Sequence, residues 1–212
     1  MPTRDRHAER HAMVRRQLQG RDITDRRVCA ALGAIPREHF IPCARDAEAY
    51  ADRPLPIGLG QTISQPYIVA LMTQAAHLTR RSRVLEIGGG SGYHAAVLGR
   101  IADRVWSVER LPALAADARA RLRSLGIDNV HVLVGDGRYG YTAAAPYDAI
   151  LVAAATKTPP PALLRQLALD GRLVIPLGPS DVQDLEVWQR TASGTRRDVL
   201  CACCFVPLIG DR

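Results

Sequence analysis

From Val84 onward, short apolar runs alternate with stretches in which apolar residues return at helical spacing. Val84-Leu85-Glu86-Ile87, Val105-Trp106-Ser107-Val108, Val130-His131-Val132-Leu133-Val134, Ala149-Ile150-Leu151-Val152 and Arg172-Leu173-Val174-Ile175 each read as a strand, the last stopped by Pro176. A helix is predicted from about Tyr93 to Ile101, between the first two strands. Between the second and third, Leu111, Leu114, Ala115, Ala118, Leu122 and Leu125 recur on one helical face. Strands alternating with helices of this length predict an α/β fold, its doubly wound and mostly parallel sheet covered on both faces.

The flanks differ. Helices are predicted over Glu9 to Leu18, Asp25 to Leu32 and Gln65 to Leu78. Between the last two, Arg53 to Pro66 is rich in Pro and Gly and poor in apolar residues. It reads as a long shaped loop, a feature uncommon unless it binds something. Toward the C-terminus, Leu185-Glu186-Val187-Trp188, a turn at Ala192-Ser193-Gly194, and Val199 to Val206 predict two antiparallel strands added to the sheet. A length of 212 residues suits a single domain: an extension over 1–12, helices and a shaped loop over 13–80, and the α/β core over 81–212.

Composition narrows the function classes. No apolar run has the length to cross a bilayer. The N-terminal stretch carries Arg4, Arg6, Arg10, Arg15 and Arg16 without an apolar segment, unlike a secretory signal. Asp5 and Glu9 are unlike an organellar transit peptide, so a soluble cytoplasmic protein is expected, with a monomer as the default. The net charge of +7 rests almost wholly on arginine, since Lys157 is the only lysine. These arginines are scattered, often beside acids, and aromatics make up 5%, so nucleic acid is not expected as a partner. Five cysteines without a secretory signal do not suggest a disulfide framework. Cys29 and Cys43 stand alone. Cys201-Ala202-Cys203-Cys204 reads as a strand with Cys201 and Cys203 on one face, and no metal site is expected.

The candidate chemistry starts at Glu86-Ile87-Gly88-Gly89-Gly90-Ser91-Gly92, after a strand and opening a helix. There an open α/β sheet binds its ligand, and glycines let the backbone approach it. Gly90-x-Gly92-x-x-Ala95 also fits the dinucleotide fingerprint, so an NAD-dependent oxidoreductase is one alternative. Glu86 opposes it, because a carboxylate repels a pyrophosphate but attracts a sulfonium and an α-ammonium. Glu109 ends the second strand, 23 residues later, where it could accept from both ribose hydroxyls. Asp136, in Gly135-Asp136-Gly137 after the third strand, could take an adenine amino group. Three acids around one glycine loop suit a cationic adenosyl ligand.

Leu55-Pro56-Ile57-Gly58-Leu59-Gly60-Gln61-Thr62-Ile63-Ser64-Gln65-Pro66 resembles the signature of the protein-L-isoaspartate O-methyltransferase family. Pro36-Arg37-Glu38-His39-Phe40-Ile41-Pro42, Ser107-Val108-Glu109-Arg110, Ala145-Pro146-Tyr147-Asp148-Ala149-Ile150, Gly171-Arg172-Leu173-Val174-Ile175-Pro176 and Phe205-Val206-Pro207-Leu208 extend the likeness from about Met13 to Ile209. The resemblance implies a Rossmann-like methyltransferase fold with S-adenosyl-L-methionine as cofactor. The methyl group would go to the carboxylate of L-isoaspartyl (or D-aspartyl) residues in damaged proteins, and the ester would close to a succinimide. It implies that Ser64 is the active-site serine and that Thr62, Ile63, Gln65 and Pro66 complete the wall between cofactor and peptide. Glu86, Gly88, Gly90 and Gly92 would hold the methionine end of the cofactor, Glu109 the ribose, and Asp136 with Gly137 the adenine. The acceptor is already ionised at neutral pH, so no general base is needed, and His94 reads as a packed or solvated residue.

Some positions depart from the family pattern. Ala153 stands for a threonine, Thr158 lies near a usual acid, and Gly89 replaces a common threonine. These keep open a second substrate reading: a carboxylate of one ribosomally made peptide, methylated during its biosynthesis. A non-catalytic, RNA-associated cofactor-binding protein is suggested by charge alone.

Overall fold

The computed structural model describes residues 6–42 and 47–210. Cys43, and Arg4 and Asp5 of the N-terminal stretch, lie outside them. Helix α1 (His7–Met13) runs on as a π-helical stretch, Val14–Gln19, and is followed by α2 (Arg26–Ala34). Asp25 caps α2 by accepting from the Arg27 N–H at 2.8 Å. Arg10, inside the stretch read as an extension, is buried and donates to Gly33 O at 2.9 Å and to Tyr50 Oη at 3.2 Å.

The segment expected to be a long loop contains a hairpin, β1 (Leu55–Gly58) and β2 (Gln61–Ile63). Leu55 and Ile63 are cross-strand partners, and both are buried in the core. Two well-placed apolar side chains therefore order a segment whose composition reads as loop. Its tip, Gly58-Leu59-Gly60, is held entirely in the left-handed region, with φ of 94°, 50° and 70°. Helix α3 (Pro66–Ala75) follows at once, opened by proline at its first position.

The core alternates as the pattern predicted: β3 (Arg83–Ile87), α4 (Tyr93–Gly99), β4 (Arg104–Glu109), α5 (Pro112–Ser124), β5 (Val130–Val134), β6 (Tyr147–Val152), the short α6 (Pro161–Arg165), β7 (Leu167–Leu177), β8 (Gln183–Thr191) and β9 (Gly194–Cys203). The sheet order is β5-β4-β3-β6-β7-β8-β9, parallel through β7 and antiparallel for β8 and β9. Chain order reverses direction between β3 and β6, and ligands of open α/β sheets bind at such a point, beyond the carboxyl ends of the strands. Each face is covered. Val84 and Val105 join the core on the α4 side, whereas Leu85, Ile87, Trp106 and Val108 join the other.

Two strand ends differ from expectation. Pro176 does not stop β7. Its carbonyl accepts from Thr156 N–H at 3.3 Å, so its nitrogen faces the same side, past the end of the β6 pairing, and no ladder bond is lost. β9 begins at Gly194 and ends at Cys203. Its polar start, Thr195-Arg196-Arg197-Asp198, pairs through backbone on an edge strand, where side chains need not be apolar. Cys201 and Cys203 face the core and Ala202 faces outward, as the alternation predicted. Among the described residues no group of three or more His, Cys, Asp or Glu side chains could hold a metal ion, and no helix is long and apolar enough to cross a membrane.

Gly92 illustrates how tightly the glycine loop is packed. It caps α4 at φ 86°, and a Cβ there would lie 3.0 Å from Ala118 Cβ and 3.3 Å from Ala118 Cα on α5. Gly92→Ala is expected to destabilise the protein by about 2 kcal/mol through backbone strain and overpacking, measured by denaturant unfolding.

Candidate active site

The register of β3 and β4 sets Glu86 beside Ser107, and both face α4, on the side of Val84 and Val105. Glu86 is completely buried. Ser107 donates to its Oε2, whereas among the described residues none completes a hydrogen bond to Oε1, although the Ala95 N–H also favours the carboxylate. Burial raises the Glu86 pKa to about 8; the Ser107 hydrogen bond opposes the shift and the Glu109 charge adds to it. His94, on the first turn of α4, brings Nδ1 to 3.9 Å from Glu86 Oε1 and Nε2 to 2.9 Å from Thr73 Oγ1. Burial pushes the His94 pKa down to about 4, so the ring is neutral at physiological pH.

The glycine loop hangs from the end of β4. Gly88 and Gly89 N–H groups donate to Val108 O at 2.9 and 3.3 Å. Glu109 then accepts from Gly90 N–H through Oε2 and from Leu111 N–H through Oε1, each at 2.8 Å. Gly88 and Gly90 take φ of 84° and 51°. At Gly89 a side chain would collide with Ser107 Oγ, so the departure from the common threonine leaves room for the hydroxyl that bonds Glu86. Gly92 does not line the cavity; its place is the contact with Ala118.

Glu86, Gly88, Gly90, Glu109 and Gly137 line one cavity together with Thr62, Ile63 and Ser64 of the loop before α3. A second cavity adjoins it, lined by Ser64, Gln65 and the segment from Ala202 to Val206. Thr62, Ser64, Ala153 and Val206 line both, which makes them the partition. Pro66 lies behind, buried as the first residue of α3. Asp136 is placed differently from the other acids. Its carboxylate caps the turn Gly137–Tyr139 and pairs with Arg138 at 2.6 Å, and it does not line the cavity.

Sequence reasoning missed Ser107 and Thr73, and it missed Leu208 and Ile209, which close the cavity from the C-terminal tail, whereas His94 is buried in keeping with its reading as a packed residue. Strand alternation could have found Ser107, because Val105, Ser107 and Glu109 share a face. The tail carries no such signal. The site suits an adenosyl ligand with a cationic end. A buried carboxyl oxygen lacks a donor, two left-handed glycines leave the loop open, and an acid stands at the end of β4.

Comparison with known proteins places this geometry. The model of a family described as protein-L-isoaspartate(D-aspartate) O-methyltransferase matches residues 8–212. A relative from Methanoregula boonei, named protein-L-isoaspartate O-methyltransferase, is 54% identical over 97% of this chain and 94% of its own. One of the same name from Picosynechococcus is 52% identical over 96% and 91%. A solved protein-L-isoaspartate O-methyltransferase superposes with a TM-score of 0.86 at 29% identity, over 96% of this chain and 66% of that longer one. A Plasmodium falciparum structure assigned the same activity, in complex with S-adenosyl-L-homocysteine, gives 0.81 at 25% identity over 95% of this chain and 99% of that one.

The neutral His94 has a consequence for acid stability. Its pKa is lowered from 6.5 to about 4 in the fold, so its contribution is present above pH 6.5 and is lost as pH falls through 4. His94→Gln should remove about 3 kcal/mol of that acid-limb loss, read from urea unfolding between pH 7 and 4.

Proposed function

Because the chain belongs to the protein-L-isoaspartate(D-aspartate) O-methyltransferase family, we propose that its two adjoining cavities hold the methyl donor and the damaged peptide, with Ser64 between them. The protein is a methyltransferase that uses S-adenosyl-L-methionine to esterify the carboxylate of L-isoaspartyl (or D-aspartyl) residues. The methyl ester then closes to a succinimide, which reopens in part to normal aspartate and so initiates repair. The single observation that carries the site assignment is the shared wall: Thr62, Ser64, Ala153 and Val206 border both cavities.

When bound, the cofactor supplies an electrophilic methyl group on a positively charged sulfur. The work of the protein is to hold, align and dry the partners. Glu86, Gly88 and Gly90 are suited to the methionine end, and Glu109 to the ribose, since each of its oxygens takes one backbone N–H and keeps a lone pair for a hydroxyl. Gly137, whose nitrogen opens the turn capped by Asp136, is suited to the adenine side of the cavity. In this reading Gly92 and Asp136 act indirectly, by packing α4 on α5 and by shaping the turn after β5.

The acceptor carboxylate is ionised without help, in keeping with a buried, neutral His94 that serves no general base role. An anion meets a cation and both charges are lost, so excluding water and aligning three atoms supply most of the acceleration. The Ser64 hydroxyl is half-buried at the junction and is free to donate to the acceptor. It is a positioning group and not a covalent nucleophile, because no activating base stands beside it among the described residues. Ala153 in the partition, at a position where the family pattern has threonine, favours keeping the dedicated-peptide reading as a second possibility.

Ser64→Ala should lower turnover by about tenfold or more while changing cofactor affinity little. Kinetics set beside calorimetric titration with S-adenosylhomocysteine check this; full activity would make Ser64 a shaping residue. With labelled cofactor, unrelated isoaspartyl peptides should be methylated and their aspartyl twins should be poor substrates, because the extra main-chain methylene moves the attacking oxygen. If specificity constants instead favour one peptide with ordinary aspartate, the dedicated-peptide reading replaces repair.

A further inference from the structure

The groups around Glu86 come from every element packed on it. Ser107 and Glu109 stand on β4, His94 and the Ala95 N–H on α4, and Leu151 is its partner on β6. Thr73 of α3 lies behind the imidazole. Arg110, the one arginine among the described residues that lines the cavity, is half-exposed beyond Glu109. The protonation state of His94 follows from its partner. Thr73 Oγ1 donates to Val69 O at 2.7 Å, so toward His94 it can only accept, and Nε2, 2.9 Å away, carries the ring hydrogen. A neutral ring protonated at Nε2 leaves Nδ1 without a hydrogen, 3.9 Å from Glu86 Oε1. An ionised Oε1 would thus gain no bond from the ring and would have a second carboxylate nearby, with the Ala95 N–H as a weak counterweight that completes no hydrogen bond to it.

We infer that Glu86 carries a proton in the ligand-free protein and surrenders it to solvent when the α-ammonium group of the cofactor enters the cavity. The inference rests on the assignment of Glu86 to the methionine end. The O–H bond of the carboxyl breaks, a buffer base takes the proton, and a carboxylate–ammonium pair replaces a neutral acid. Burying an unpaired carboxylate is the costlier state, whereas a paired one is tolerated. Burial accordingly lifts the Glu86 pKa to about 8, so the proton is present at neutral pH. His94, neutral through burial and held by Thr73, supplies no charge to pair with the carboxylate and takes no proton from it.

Calorimetric titration of the whole protein with S-adenosylhomocysteine at pH 7, in phosphate and in Tris, tests this, because the two buffers absorb a released proton with very different heats. Release approaching one proton per ligand is expected. The dissociation constant should fall by about tenfold per pH unit between pH 6 and 7.5 and level off above 8. Glu86→Gln, which keeps the shape and donor of the protonated acid, should bind more weakly with buffer-independent heat and a flat pH profile. Binding by the wild-type protein with identical heats in both buffers would overturn the proton step and leave the cofactor assignment standing. Release that persists in Glu86→Gln would overturn it too, by assigning the proton to another group. No binding in either buffer, and no ligand-induced rise in Tm, would overturn the cofactor assignment along with it.

Discussion

Both oxygens of Glu109 are spoken for by backbone: one takes the N–H of Gly90, the other that of Leu111, each at 2.8 Å. This carboxylate bridge ties the glycine loop after β3 to the start of α5 after β4. Charge-assisted bonds of this kind are among the stronger ones available to a chain. The loop can then remain open and left-handed at Gly88 and Gly90 without collapsing into the cavity. A residue assigned to ligand binding by its position is thus also the brace that makes the ligand site exist.

The floor beneath that brace is built on the opposite principle. Glu86 is buried with one oxygen short of a hydrogen-bond partner, an arrangement that costs the ligand-free protein stability. A contrast elsewhere in the same sheet shows what a purely structural buried acid looks like. Glu186 on β8 is almost inaccessible, yet it accepts from Arg197 Nε and Nη2 at 2.7 and 2.5 Å and from Trp188 Nε1 at 2.8 Å. Nothing is left for a ligand to satisfy there.

The departures from the family pattern fall on opposite sides of the reaction chamber. Gly89 clears space for Ser107 and so belongs to the cofactor side. Ala153 lines both cavities and belongs to the partition, where no hydroxyl stands at the position of the family's threonine. Cys203 and Cys204 line the second cavity, and burial pushes the Cys203 thiol up to about 12, which keeps it an inert neutral group.

The alternation of strands and helices, the glycine loop and the run from Gly60 to Pro66 were legible in the sequence, because each is a local pattern written in period, spacing or residue type. Glu86, Glu109 and Ser64 were legible as candidates, since strand ends and a signature loop announce them, and they line one cavity. Three things required the tertiary structure. The hairpin over Leu55 to Ile63 depends on two distant apolar residues meeting across it, which composition cannot report. Asp136 read as equivalent to the other two acids, but its neighbour Arg138 claims the carboxylate, and only coordinates show which way a side chain turns. The state of Glu86 was least visible of all. Its raised pKa comes first from burial, opposed by the Ser107 hydrogen bond and the Ala95 N–H and reinforced by the Glu109 charge; these groups on β4 and α4 share no motif, and a pKa is set by what surrounds a group in space and not by what precedes it in the chain.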